Sequence, residues 1–236
     1  HPETGELITK ERLEIKGLGK AKYILKPGGT LGDLYTNSDL VYNDDGYIEV
    51  DKNGNVAVKD DYMDDIYLGS VFPKYNLAWR NDFNYKGINL GVLFTARIGG
   101  ICYSATQANM DLYGVSEASA AARDAGGVMI NGRDMIDAQK WYQVIGSQSG
   151  LPQYYTYSAT NVRLQELSLG YTLPSKWFRD KMRMTVSFVG RNLWMIYCKA
   201  PFDPEAVAST GMNYQGIDYF MMPSMRNLGF NVKFQF

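Results

Sequence analysis

Acidic and amide side chains spaced two residues apart are the feature of this 236-residue sequence with the clearest potential for metal chemistry. Asp51, Asn53 and Asn55 alternate as oxygen ligands do in a calcium loop. Further carboxylates follow closely: Asp60, Asp61, Asp64 and Asp65. A loop of the EF-hand type needs Gly directly after the third of these ligand positions, and Val56 stands there. We therefore predict turn chemistry and a solvated acidic loop here, with a calcium site as the alternative.

The residue types that most enzymes need are missing or isolated. His1 is the only histidine, which excludes a histidine-based triad and a multi-histidine metal site. Gly17 and Gly19 lack the third glycine of a dinucleotide fingerprint, and no phosphate-binding loop motif occurs. The paired carboxylates could in principle hydrolyse a glycoside, but nothing in their loop would raise a pKa. The sequence predicts neither an enzyme nor a cofactor.

Composition favours a protein with interfacial or stacking aromatic residues. Lys and Arg number 24 and Asp and Glu 25, so a basic surface for nucleic acid is not indicated. Aromatic residues make up 14% of the chain and include 18 tyrosines, which suits a membrane interface or a sugar-binding surface. No apolar run approaches the ~18 residues that a spanning helix needs. A membrane protein with this sequence is therefore expected to be a β-barrel.

Long segments alternate between apolar and polar residues, which is the period of a β-strand. The final segment, residues 227–236, places five apolar side chains on one face: Leu228, Phe230, Val232, Phe234 and Phe236. Residues 73–85, 88–99 and 182–191 alternate in the same way, with Leu93 as an exception on the polar face of 88–99. Their polar faces are predicted to line a wet lumen and contact a plug: Asn76, Arg80, Asp82, Asn89, Arg97, Arg183, Arg191, Asn231 and Lys233. Together these segments predict an all-β fold with one face in lipid and the other in water.

The spacing of these segments predicts part of a large transmembrane antiparallel β-barrel. Five wall strands and one more near residues 20–37 are too few to close a barrel, since the smallest have ~8. The short turns at 86–87 and 174–180 are expected on the periplasmic side, together with Phe236. Residues 103–159 and 199–222 are expected to be long extracellular loops. We interpret residues 1–236 as a C-terminal piece whose earlier strands and plug domain precede it.

Local signals add detail to this architecture. Within 103–159, Ser116 is predicted to cap a helix over 117–125, and Asp134 a second helix over 135–145 that ends at Gly146. A change of alternation near Gln165 predicts a β-bulge in the strand over 160–173.

The two cysteines, Cys102 and Cys198, each follow a predicted strand. If one strand separates those strands, the backbones lie ~10 Å apart, beyond the ~7 Å limit for a disulfide. Free thiols are therefore predicted.

Six short motifs, taken in order, resemble one family. They are residues 70–75 (SVFPKY), 83–87 (FNYKG), 163–174 (RLQELSLGYTLP), 190–193 (GRNL), 202–204 (FDP) and the aromatic C-terminus. Together they resemble the last strands of SusC-like (SusC/RagA) TonB-dependent outer-membrane transporters of Bacteroidetes. The resemblance covers roughly residues 20–236, and it depends on the ordered set because each motif alone is weak.

The resemblance implies a barrel of about 22 strands with a plugged lumen in the bacterial outer membrane. It also implies TonB-dependent import of a glycan or an oligopeptide, a SusD-like surface lipoprotein as partner, and TonB acting through the plug. The motifs are architectural and do not assign substrate residues. Substrate contacts are predicted from the aromatic outer loops instead: Tyr154, Tyr155, Tyr157, Tyr214 and Asp218.

Two other functional classes are also consistent with the sequence. A secreted soluble β-sandwich that binds carbohydrate would also have alternating strands and tyrosine-rich loops. A barrel that signals without importing would differ in the region before residue 1. Dependence on detergent separates the first class from a transporter, and burial of Phe230, Val232 and Phe234 between two stacked sheets would favour it.

Overall fold

The computed structural model of the protein describes residues 12–60, 65–179, 181–209, 211 and 214–235. Several sequence predictions lie outside these described residues. They concern His1, Asp61, Asp64, Asp180 and the C-terminal Phe236.

The described residues form sixteen strands and three α-helices. The strands are β1 (Leu13–Leu18), β2 (Ala21–Leu25), β3 (Asp33–Thr36), β4 (Asp39–Leu40), β5 (Val58–Lys59), β6 (Ile66–Ser70), β7 (Tyr75–Tyr85), β8 (Ile88–Ile98), β9 (Ile101–Ser104), β10 (Val128–Ile130), β11 (Asp134–Ile136), β12 (Thr156–Ser158), β13 (Asn161–Thr172), β14 (Arg183–Cys198), β15 (Ile217–Asp218) and β16 (Asn227–Gln235). The helices are α1 (Ala105–Leu112), α2 (Glu117–Asp124) and α3 (Ala138–Ile145), and short 3-10 turns lie at Pro152–Tyr155 and Ser175–Phe178.

The chain divides into two compact units. The sheet unit consists of Pro73–Gly100, Ser158–Ala206 and Met222–Phe236. The mixed unit consists of His1–Phe72, Ile101–Tyr157 and Val207–Met221.

The sheet unit is one antiparallel sheet in the order β16–β14–β13–β8–β7. These are the five wall strands that the alternation predicts. Strands β7 and β8 form a hairpin through Lys86 and Gly87, whose φ angles of 48° and 85° are those of a type I′ turn. That turn suits the twist of the flanking strands, and its positive angles are easiest for glycine. The predicted short turn is confirmed.

The predicted bulge in β13 is also confirmed. Against β8, Leu164 pairs with Phe94 and Glu166 with Leu93, so Gln165 has no partner in that ladder. The register of β13 against β14 shifts at the same point. One extra residue reverses the alternation, so Leu164 and Leu167 lie on the same face of the sheet.

The mixed unit combines small sheets with the three helices. One sheet has the order β1–β2–β3–β6, and another has β12–β9–β15 with β9 and β15 parallel. A single core joins these elements; its fully buried members include Tyr23, Leu34, Leu40, Tyr103 and Ile217. The prediction of a sixth wall strand near residues 20–37 is wrong, because that segment forms β2 and β3 of this separate sheet. Those two strands are four or five residues long and mostly buried, so they lack the alternation of a wall strand.

The helices of the mixed unit confirm one predicted cap and correct the other. The Ser116 hydroxyl accepts a hydrogen bond from the backbone N–H of Ser119 and begins α2 as predicted. The prediction that Asp134 caps the next helix is wrong, because Asp134 begins β11. Asp137 accepts from the backbone N–H of Lys140 and begins α3, which ends at Gly146. Both aspartates precede an apolar residue, so sequence alone does not choose between them.

Asp51 organises a turn in the mixed unit. Its carboxylate accepts hydrogen bonds from the backbone N–H groups of Asn53 and Asn55, each at 2.8 Å. It also accepts one from the Asn55 side chain at 2.8 Å. Hydrogen bonding from Asn55 lowers the pKa of the Asp51 carboxyl. These contacts are those of the predicted turn.

The two cysteines are free thiols, as predicted. Within the described ranges, no helix combines the length and apolar character required to cross a membrane.

Candidate functional site

The nine polar residues predicted to line a lumen share one face of the five-stranded sheet. Residues directly opposite in an antiparallel ladder point to the same side. The register pairs Asn76 with Arg97 and Asn89 with Asn84 across β7 and β8. Across β14 and β16 it pairs Arg183 with Gln235 and Arg191 with Asn227. The sheet therefore has one continuous polar face, although its contact with a lumen or plug remains a prediction.

Four side chains join into a chain of charges across this polar face. Arg80 donates to Asp82, with Nε to Oδ2 at 2.8 Å and Nη2 to Oδ1 at 3.1 Å. Its Nη1 lies 3.6 Å from Glu166 Oε1, and Arg191 Nε donates to the other oxygen of Glu166 at 3.0 Å. Three strands, β7, β13 and β14, are thus bridged by alternating charges. Each exposed pair contributes only ~0.2–1 kcal/mol to stability.

Glu166 is the centre of this chain because of the bulge at Gln165. If Gln165 occupied an ordinary paired position, the alternation set by Val162 and Leu164 would place Glu166 among the apolar side chains. Because Gln165 is bulged out of the ladder, Glu166 lies on the polar face between Arg80 and Arg191. Sequence reasoning identified the phase change but did not name Glu166 as a functional residue.

The opposite face of the same sheet is apolar and exposed. Phe188 and Phe230 are directly paired and meet edge to face with ring centroids 5.5 Å apart. Trp79 stacks on Phe94 at 5.7 Å. Phe230 is 80% exposed, Val232 48% and Phe234 51%, so they are not buried between two stacked sheets. Water is a poor environment for such a wide aromatic face.

A buried ion pair joins three of the family-like motifs at one end of the sheet unit. Arg163 is 2% exposed, and its Nη2 donates to Asp203 Oδ1 at 2.9 Å and lies 3.4 Å from Glu205 Oε2. The same guanidinium donates to the side-chain oxygens of Asn161, at 3.2 Å, and Asn192, at 3.3 Å. The motifs at 163–174, 190–193 and 202–204 therefore have a shared physical role.

Asp203 is held in its charged form within this network. Burial tends to raise the pKa of its carboxyl, but hydrogen bonds from Arg163 and Ser224 outweigh that effect and lower it. Asn192 in turn donates to Ser224 Oγ at 2.8 Å. This ties residues 199–206 and 222–226 to strands β13 and β14. Sequence reasoning missed Ser224 because it stands outside every motif.

The predicted substrate-contacting residues differ greatly in accessibility. Tyr155 is 2% exposed and belongs to the core of the mixed unit. Asp218 is 6% exposed and accepts a hydrogen bond from Ser104 Oγ at 2.7 Å. Tyr154 and Tyr214 are each 37% exposed, and Tyr157 is half-buried. Contact with a substrate stays a prediction for all five, and Tyr154 and Tyr214 present the most open rings.

The tyrosine cluster is packed against a helix. Tyr154 meets Trp141 of α3 edge to face, with ring centroids 5.9 Å apart. Burial raises the pKa of the Tyr154, Tyr155 and Tyr157 phenols, so all three hydroxyls stay protonated at neutral pH. They can serve as hydrogen-bond donors, and the packing against Trp141 fixes the direction of the Tyr154 ring.

Comparison with known proteins gives one curated relative and several structures. No protein-family model matches the chain. Over 198 residues, it is 25% identical to TonB-dependent receptor P3 of Formosa agariphila. The chain is homologous to part of a TonB-dependent receptor. The alignment covers 80% of this chain and 19% of that receptor, so the chain spans about a fifth of its relative.

The fold is similar to part of a RagAB structure. In a structure of the RagAB peptide transporter, the similarity has a TM-score of 0.53 at 14% identity and covers 95% of this chain and 24% of that one. The closed-closed state of the RagAB peptide importer gives a TM-score of 0.44 at 16% identity, covering 91% of this chain and 25% of that one. The chain thus shares its mostly β architecture with about a quarter of a RagAB chain.

Proposed function

We propose that this chain forms part of the barrel wall and outer loops of a TonB-dependent transporter in the bacterial outer membrane. The whole protein would import a nutrient with a SusD-like lipoprotein, and TonB would act through a plug domain. It would perform no chemistry on the nutrient. Residues 103–159 and 199–222 would be its extracellular loops.

The observation that carries this proposal is the two-faced sheet of the sheet unit. One face is a continuous aromatic and aliphatic surface with Phe230 at 80% exposure, and the other is a ladder of charges. A membrane barrel needs this combination, because its wall contacts lipid outside and water inside. The homology to a TonB-dependent receptor supports the same interpretation.

Oligopeptides are the cargo class to test first, and glycans the second. The structure with the similar fold is described as a peptide transporter, and this motivates the order of testing. Tyr154 and Tyr214 suit either cargo, because a tyrosine ring stacks on a sugar or an apolar side chain while its hydroxyl bonds a polar group. The nine polar-face residues would contact the plug and the water-filled lumen.

Uptake by intact cells tests the proposal. Cells are supplied with labelled oligopeptides or labelled glycans. Deletion of the gene for the full-length protein should abolish growth on one of these two cargo classes, or its accumulation in the cells. The protein should fractionate with outer membranes and require detergent. A protein that stays monodisperse in plain buffer would instead be the soluble carbohydrate-binding class, and unchanged uptake of every cargo together with an altered transcriptional response would indicate a signalling barrel.

A further inference from the structure

A pocket of about 180 Å³ lies among the three helices of the mixed unit. The end of α1 contributes Asp111, α2 contributes Ser119 and Arg123, and α3 contributes Ala138 from its first turn and Tyr142 from its second. Pockets for drug-sized molecules measure ~300–1,000 Å³, so this one suits a small metabolite and is too small for an oligopeptide.

Asp111 is a buried carboxylate in this pocket. It is 5% exposed, and its Oδ1 accepts a hydrogen bond from Gln107 Nε2 at 2.9 Å. None of the ion pairs formed among the described residues includes it. A carboxylate is rarely this buried without a cationic partner, because the lost hydration is costly. Burial and then the Asp111 charge raise the pKa of the neighbouring Tyr142 phenol, so that hydroxyl remains a neutral donor.

Arg123 brings the opposite charge to the same pocket. It is exposed, and its Nη1 donates to the Gly114 carbonyl at 2.9 Å, which fixes the guanidinium in place. Four further N–H donors of the guanidinium remain for other acceptors. Arg123 and Asp111 form no ion pair with each other. A negative and a positive group thus line one small space without neutralising each other.

We propose that this pocket binds a small free α-amino acid. Asp111 accepts hydrogen bonds from the ligand ammonium group, and Arg123 donates to the ligand carboxylate. The Ala138 methyl and the Tyr142 ring bound the remaining space and restrict the ligand side chain to a small aliphatic group. This proposal does not rest on the proposed function.

Binding of L-alanine to the full-length protein in detergent tests the proposal, by equilibrium dialysis with labelled alanine and by saturation-transfer NMR. Propylamine and propionate each carry one of the two charges and serve as half-ligands. Asp111→Asn should weaken alanine and propylamine about tenfold or more and leave propionate unchanged. Arg123→Gln should weaken alanine and propionate similarly and leave propylamine unchanged, since charge-assisted hydrogen bonds have this magnitude.

Arg133→Gln is the matched control, because Arg133 is an exposed arginine of the same unit that packs on Tyr47. It should bind alanine as the unsubstituted protein does. The proposal is overturned if the unsubstituted protein shows no saturable alanine binding, or if Arg123→Gln and Arg133→Gln bind alanine equally well. If Asp111→Asn does not fold, the exposed Arg123→Gln and the two half-ligands still decide the outcome.

Discussion

Phe230 and Asn231 are neighbours in β16 that point to opposite faces of the sheet, so they give a matched test of its orientation. Phe230 is 80% exposed and pairs with Phe188, whereas Asn231 pairs with Ser187 on the polar face. Both lie near the middle of the Asn227–Gln235 strand. If Phe230 faces lipid as proposed, it therefore lies close to the centre of the bilayer.

Phe230→Arg should destabilise the protein far more than Asn231→Arg. An arginine on the lipid face near the bilayer midplane costs ~2–4 kcal/mol. Loss of the edge-to-face contact with Phe188 adds ~0.5–1.5 kcal/mol. The total of about 3–5 kcal/mol changes the folding equilibrium by a factor of ~100 or more. Asn231→Arg places the same charge in water and should stay within ~0.5 kcal/mol.

Denaturant unfolding of the full-length protein in lipid vesicles measures this difference. Heat-modifiable migration in gels and the amount of protein in outer membranes provide a second readout in cells. The lipid-facing interpretation is refuted if the two variants are equally stable, or if Asn231→Arg is the more damaging one. In that case the apolar face would be in contact with protein or water, and the proposed function would lose its main support.

Three further substitutions test individual contacts. Arg163→Met breaks a buried ion pair and should cost ~3–5 kcal/mol of unfolding free energy, measured by denaturant titration, because Asp203 is left buried and unpaired. Asp137→Ala removes the α3 cap and should cost ~0.5–2 kcal/mol, seen as a lower melting temperature. Hydrogen bonds from Arg12 and Lys26 hold the pKa of the Asp65 carboxyl at about 2, below its usual 3.8. The stability from this carboxylate should therefore be complete above pH ~4 and disappear as the pH falls towards ~2, as acid titration of unfolding will show.

Each substitution has a control in the same chain. Arg191→Met removes an exposed arginine of the polar face and should cost no more than ~1 kcal/mol. Asp134→Ala changes the aspartate that does not cap the helix and should affect melting less than the Asp137 variant. Asp65→Asn should flatten the acid dependence. The buried ion pair is contradicted if Arg163→Met and Arg191→Met have equal effects. The helix cap is contradicted if Asp137→Ala and Asp134→Ala have equal effects. The role of Asp65 is contradicted if Asp65→Asn leaves the acid titration unchanged.

The five strands of the sheet unit were predictable because each is long enough for alternation to be recognised. In β16, apolar and polar residues alternate over nine positions, and in β8 they alternate over eleven with Leu93 as an exception. The bulge at Gln165 appears as a single change of phase in β13. A sheet with one apolar face and one polar face produces a strong period-two pattern in the sequence.

The mixed unit was much less predictable, for physical reasons. Strands β2 and β3 are short and mostly buried, so they show no alternation and were assigned to the wrong sheet. The Arg163 network joins residues about 60 positions apart in sequence through turns, and no periodic pattern encodes such contacts. Tyr154 and Tyr155 are adjacent residues of the same type, so sequence alone does not distinguish them, yet Tyr155 is buried and Tyr154 is partly exposed.

Because Gln165 is unpaired in the β8 ladder, odd- and even-numbered residues of β13 exchange faces of the sheet at this position. In β13, the apolar side chains carry even numbers up to Leu164 and odd numbers from Leu167 onward. Removing Gln165 alone would leave Leu164 and Leu167 in one regular alternation. Removing a residue from a regular part of the strand would turn one half of it over, or force its neighbours to slide. Away from this bulge, insertions and deletions in the strand should consequently be tolerated in pairs and resisted one at a time, which is a constraint on length and not on chemistry.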